Sequence, residues 1–129
     1  MKAKRRLINS WVDKAGKDLL TAEHELSFSD AVTESICFHC QQAVEKYLKA
    51  YLIFLGIPFT KTHEIGELIT RCETKDKLIF SLKIEADKLT DYAVEIRYPD
   101  AWSEPKLDEA KEAFKIGTKI RDYVLNIIT

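Results

Sequence analysis

Asp30-Ala31-Val32-Thr33-Glu34-Ser35-Ile36-Cys37-Phe38-His39-Cys40-Gln41-Gln42-Ala43-Val44-Glu45-Lys46-Tyr47-Leu48-Lys49-Ala50-Tyr51-Leu52-Ile53-Phe54-Leu55-Gly56 is the stretch on which the fold turns. Val32, Ile36, Cys40, Ala43, Tyr47, Tyr51 and Leu55 recur at steps of three and four residues. Cys37, Val44, Leu48 and Leu52 widen the stripe. That spacing is helical, and so wide an apolar arc belongs to a central helix packed by several neighbours. The helix is expected to begin near Ser29 or Asp30. Gly56 suits the position just past its end, and Pro58 blocks simple continuation.

The same period runs outward in both directions. Trp11, Ala15, Leu19, Ala22 and Leu26 predict a first helix capped by Ser10. Residues 1–9 are basic and read as a frayed, solvated start. Thr62 can cap a shorter helix carrying Ile65, Leu68, Ile69 and Cys72, which its Gly66 weakens by about 1 kcal/mol relative to Ala. Leu78, Leu82, Ala86, Leu89, Ala93 and Ile96 predict a fourth helix, ending before Pro99 because the residue preceding proline avoids the α region. Ser103 is placed to cap a last helix with Pro105 in its first turn and Leu107, Ala110, Phe114, Gly117, Ile120, Val124 and Ile127 inward. The expected fold class is all-α: one domain over residues 1–129, an antiparallel up-and-down bundle of about five helices.

Composition narrows the function classes. Twenty Lys and Arg against 21 Asp and Glu leave a formal net charge of −1, which argues against coating nucleic acid through bulk charge and leaves room for a local basic patch. No apolar run approaches the roughly 18 residues of a membrane span, so no membrane contact is expected. The basic start lacks an apolar stretch behind it and does not read as a secretory signal. Cys37, Cys40 and Cys72 are an odd set outside any disulfide framework, and a reducing cytoplasm fits them best. Cys37 and Cys40 form a C-x-x-C, but a redox or zinc pair needs a helix N-terminus or two further ligands. Their position inside the central helix favours two small core residues. No phosphate loop and no nucleophile elbow is present, and the residues call for no cofactor or metal.

Two polar constellations remain. Ser35, His39, Gln42, Lys46 and Lys49 fall within one quarter of the central helix's circumference, at about 100° per residue. Such a stripe can offer cations to a phosphate and amide and imidazole groups to a base or sugar; it equally suits a solvent-facing surface or a dimer seam. Arg97-Tyr98-Pro99-Asp100 is either a helix stop with a cation at its C-terminus or a reader of phosphate and base through Arg97 and Tyr98.

The run Phe38 to Ala50 resembles the central helix of HEPN domains (higher eukaryotes and prokaryotes nucleotide-binding). Trp11 through Leu26, Lys61-Thr62-His63-Glu64-Ile65 and Tyr92 through Asp100 fit the same family in the same order. The resemblance implies an all-α bundle that often forms a homodimer, in a cytoplasmic prokaryotic protein. It also implies binding of a nucleotide or RNA, and pairing with a minimal nucleotidyltransferase in a toxin–antitoxin-like system. Some members are metal-independent endoribonucleases that use an Arg-x(4–6)-His motif, with the sites of two protomers meeting across a dimer cleft. Here none of Arg5, Arg6, Arg71, Arg97 and Arg121 is followed by a histidine at that spacing. The expectation is therefore a binding module with His39, Gln42, Lys46, Lys49, Arg97 and Tyr98 as its contact residues and no catalytic residue assigned. The alternatives are a ribonuclease with a displaced histidine, or a pure interaction module whose polar stripes are dimer or partner surface. For the expected dimer, Phe59, Tyr98 and Trp102, in apparent loops, are candidate interface anchors, or else they tuck onto the domain's own core.

Overall fold

The computed structural model describes residues 2–94 and 103–129. Among these residues five α-helices are formed: α1 Lys2–Leu26, α2 Thr33–Leu55, α3 Ile65–Glu73, α4 Lys83–Asp87 and α5 Leu107–Ile128. Two 3₁₀ segments, Lys77–Leu82 and Thr90–Ala93, flank α4. No strand occurs among the described residues, and no helix there is long and apolar enough to cross a membrane. The all-α class expected from the periodicity is the fold observed.

α2 is the hub, with fourteen of its residues buried. It ends as its sequence requires: Gly56 takes a left-handed φ of 73°, its N–H bonds Ile53 O, and Ile57 N–H bonds Leu52 O. This pairing satisfies carbonyls that the helix would otherwise leave open. α1 lies antiparallel to α2, since Asp18 meets Lys46 while Trp11 meets Lys49. α5 returns in the same sense as α2: Tyr92, beside Cys37, bonds Glu109, while Tyr51 and Tyr123 meet at Asp76. The up-and-down alternation thus holds for α1 against its two long neighbours, and the α3–α4 excursion restores the chain's direction before α5 begins.

Several boundaries differ from the sequence reading. The basic start is helical from Lys2 rather than frayed, because Ile8 extends the apolar stripe one turn upstream and is buried. Arg5 also donates to Ile128 O, placing a cation at the C-terminus of α5. α2 begins at Thr33, whose hydroxyl donates to Pro105 O. That bond fixes the entry to α5, which begins at Leu107, with Pro105 buried ahead of it and no cap from Ser103. Arg97, Tyr98 and Trp102 lie outside the described residues.

The expected fourth helix is broken into 3₁₀, α and 3₁₀ pieces, and side-chain competition explains the breaks. Asp76 accepts the Leu78 N–H at the first piece. Asp87, at the end of α4, turns away to accept the Gly66 N–H at 2.8 Å and the Thr90 hydroxyl at 2.7 Å. Thr90 in turn accepts the Ile65 N–H. The N-terminus of α3 is therefore capped from α4 and not by Thr62, which accepts only the Glu64 N–H. Gly66 permits this approach, because a Cβ there would meet the Asp87 carboxyl at 2.8 Å.

This arrangement predicts a reversal of sign. Asp87→Ala is expected to cost roughly 1–2 kcal/mol, the usual worth of a cap. Gly66→Ala alone displaces the cap and destabilises. In the Asp87→Ala background the same change gains helix propensity, about 1 kcal/mol. Urea unfolding of the four proteins measures the cycle, and strict additivity would refute the shared cap.

Candidate functional site

The polar side of α2 is divided into two rows. On the first, Asp18 of α1 is clasped by two residues of α2: His39 Nδ1 lies 3.0 Å from Oδ1, and Lys46 Nζ lies 2.5 Å from Oδ2. All three are partly buried. A carboxylate only accepts, so Nδ1 of His39 carries a proton. The Phe38 ring stands edge-on to the imidazole at 5.3 Å and helps fix its plane.

The second row is buried. Glu45 and Lys49 are 4% and 6% exposed and bond at 2.8 Å. Lys49 Nζ lies 5.5 Å from the Trp11 ring and 5.9 Å from the Phe59 ring, so two aromatic faces cover a cation already neutralised. Gln41, fully buried, donates to both Glu45 Oε1 and His63 O, and accepts from Gln42. His63 Nδ1 completes the set at 2.8 Å from Glu45 Oε1, with the rest of its ring exposed. Burial raises the Glu45 pKa, but the hydrogen bonds from Lys49, His63 and Gln41, aided by the Lys49 charge, outweigh it and hold the carboxyl below its ordinary value.

The predicted stripe is thus brought together only in part. His39, Gln42 and Lys46 share the partly open row, whereas Lys49 faces inward and is committed to Glu45. Asp18, Gln41, Glu45 and His63 were not singled out as contacts. One signal was available: at about 100° per residue, Gln41 falls between Leu48 and Leu52, inside the apolar arc. Asp18 gave none, since its meeting with His39 and Lys46 depends on the register of α1 against α2.

The cysteines are core. Burial pushes the Cys37 thiol up to about 11 and Cys72 up to about 12, and raises Cys40 as well. A thiolate, the form needed for redox chemistry or metal binding, is disfavoured at all three. Among the described residues no cluster of three His, Cys, Asp or Glu side chains is placed to hold a metal ion.

Residues 8–127 match the family model described as the HEPN domain. The chain belongs to the HEPN family. The crystal structure of ST0689, an archaeal HEPN homologue, is similar at a TM-score of 0.74 and 26% identity, over 95% of this chain and 98% of that one. No curated protein matches. Within this HEPN domain the histidines available for chemistry at the α2 face are His39 and His63, each held through Nδ1 by a carboxylate.

The depressed Glu45 pKa fixes a pH dependence. A carboxyl more acidic folded than unfolded contributes stability above its unfolded value and loses it as pH falls through the folded one. Glu45→Gln is expected to cost roughly 2 kcal/mol at pH 7, as for hydrogen bonds to a charged group. The gap to the native chain should narrow below the ordinary value of 4.5. Denaturant midpoints across that range test this, and a gap constant down to pH 3 would show that the Glu45 charge contributes nothing.

Proposed function

We propose that this HEPN domain binds a nucleotide or the end of an RNA on the partly open row of α2, with Lys46 and His39 meeting the phosphate and Gln42 hydrogen-bonding sugar or base. The observation that carries the reading is the convergence of His39 and Lys46 on one carboxylate, Asp18. Asp18 orients both groups before a ligand arrives, so less conformational entropy is lost on binding. A phosphate bonded by Lys46 and by the Nε2–H of the imidazolium form of His39, whose Nδ1–H stays on Asp18, gains charge-assisted hydrogen bonds. Lys49 supports the site from below by neutralising Glu45. Arg97 and Tyr98 complete the ligand contacts as phosphate and base readers.

The module acts as a homodimer in a prokaryotic cytoplasm, paired with a minimal nucleotidyltransferase in a toxin–antitoxin-like system. The family membership supports this assignment. Calorimetric titration of the purified chain with ATP, GTP and short RNA is expected to show binding, weakened about tenfold or more by Lys46→Ala, the loss of one charge-assisted bond. Absence of heat with every ligand defeats the binding reading. Light scattering is expected to give a dimer at micromolar concentration, and a monomer mass removes that part of the proposal.

The second reading, a metal-independent endoribonuclease, is favoured by one feature: a histidine held through Nδ1 by a carboxylate is oriented as a general acid or base is. The two readings separate on structured RNA. A binding module leaves it intact. Cleavage that disappears in both His39→Ala and Arg97→Ala, with the fold unchanged by circular dichroism, decides for the enzyme.

A further inference from the structure

The amide of Gln42 has one orientation open to it, and Gln41 sets it. Gln41 is fully buried, and its Nε2 donates both hydrogens: one to Glu45 Oε1 at 3.2 Å, the other to the His63 carbonyl at 3.1 Å. A backbone carbonyl only accepts, and so does the Glu45 carboxylate, ionised beside the Lys49 ammonium at 2.8 Å. Turning the Gln41 amide over would set its oxygen against both acceptors. Its Oε1 therefore faces Gln42 and accepts from Gln42 Nε2 at 2.7 Å. Reversing Gln42 in turn would bring two carbonyl oxygens together at that distance. The polarity of a half-buried amide on the open row is thus fixed from the buried row.

Gln42 keeps its carbonyl oxygen and one N–H for a ligand. Oε1 accepts no hydrogen bond among the described residues and is not sealed from solvent. Gln42 lies three residues after His39 and four before Lys46, so its Cβ is about 5–6 Å from each of theirs on one helix face. Lys46 only donates, and an imidazolium donates from both nitrogens. The open row therefore sets one fixed acceptor beside the donors that would meet a phosphate. A ligand that fills it carries a hydroxyl or N–H close to its phosphate; one without that donor leaves Oε1 unpaired.

A nucleotide has donors on its sugar and on its base. The ribose 2′-hydroxyl sits on the carbon next to the one that bears a 3′-phosphate, whereas the base edge lies across the sugar ring. Gln42 is held back by Gln41 and reaches outward to a base only by giving up the 2.7 Å bond. We infer that Gln42 reads the 2′-hydroxyl beside a 3′-phosphate, with Gln41 as its positioning residue, so that the open row selects RNA over DNA. The hydroxyl proton bonds Gln42 Oε1 while the phosphate meets Lys46 and His39. The 2′-hydroxyl is the group by which a protein tells the two nucleic acids apart. This inference rests on the binding reading above and narrows it from any nucleotide to a ribose strand.

The test measures fluorescence anisotropy of one short single-stranded sequence on the full chain, made as RNA, as 2′-fluoro RNA and as 2′-amino RNA. Fluorine keeps a small electronegative atom at the position and removes the proton; the amino group restores a donor. The 2′-fluoro strand is expected to bind about threefold to tenfold more weakly than RNA, the worth of one hydrogen bond, and the 2′-amino strand to recover most of that loss. In Gln42→Met and in Gln41→Met, RNA and 2′-fluoro RNA should bind alike. A merely structural role for Gln41 would weaken both strands by one factor and keep their ratio, which overturns its positioning role. Equal binding of the two strands to the native chain overturns the inference, as does a ratio unchanged in Gln42→Met. Binding of no strand at all defeats the nucleotide-binding reading itself, a result distinct from equal binding. If Gln41→Met does not fold by circular dichroism, Gln42→Met, at a half-buried position, decides.

Discussion

Glu45 and Lys49 are bonded at 2.8 Å where neither side chain reaches water to any extent, and the packing around α2 is arranged to satisfy them. Taking two charges out of water costs several kcal/mol each unless the remaining hydrogen-bonding capacity is filled. Here it is filled from three directions. Gln41 and His63 supply the further donors to Glu45, and Trp11 and Phe59 face the ammonium with their rings. Trp11 belongs to α1, while Phe59 and His63 belong to the connection into α3. One ion pair thus constrains how α1 sits on α2 and how the chain leaves α2 for α3. An apolar pair of the same volume would pack without specifying any of those partners.

The second constraint is the sharing of Asp87 and Asp76. Each carboxylate serves elements distant in sequence. Asp87 closes the start of α3 from the end of α4, and Asp76 accepts hydroxyls from Tyr51 of α2 and Tyr123 of α5, each at 2.6 Å. Burial raises the Asp76 pKa, the tyrosine hydroxyls and backbone N–H groups lower it by more, and the carboxyl stays ionised below its ordinary value. Both tyrosines shift the other way, first through burial and then through donation to Asp76. The hydroxyls remain protonated donors across the physiological range. Short helical pieces that would not be stable alone are held by these long-range acceptors.

The distinction between local and long-range interactions also explains what was legible in the sequence. The apolar period of α2 and the Gly56 stop depend on residues a few positions apart, and both read correctly. The all-α class followed from the same periodicity. The fourth stripe failed because its period was right for Leu82, Ala86 and Leu89 but said nothing of Asp87, whose partner is a backbone N–H 21 residues away. The N-terminal residues differ from their sequence reading for a similar reason: their charge points to solvent, while Ile8 and the Arg5 bond to Ile128 supply contacts that exist only once α5 is in place. That His39, Gln42 and Lys46 share one partly open side of α2 is legible from their angle on the helix. The inward turn of Lys49 was not, because it depends on Trp11 and Phe59 arriving from two other elements.

The two rows of α2 therefore do different physical work, and the difference bears on which residues can meet a ligand. A cation already saturated by Glu45 and covered by two rings gains little from a phosphate, and moving it would expose Glu45 unpaired at a cost of several kcal/mol. Lys46 and His39 are in the opposite position. Their shared partner Asp18 is at the edge of the α1–α2 seam, partly open to water, so in the proposed binding a phosphate would compete with Asp18 on terms that solvent screening makes mild. Asp18 orients both groups in the free protein, and the proposed ligand would replace part of each bond with its own negative charge. The buried row, tied to α1 through Trp11 and to the α2–α3 connection through Phe59 and His63, does not depend on that exchange.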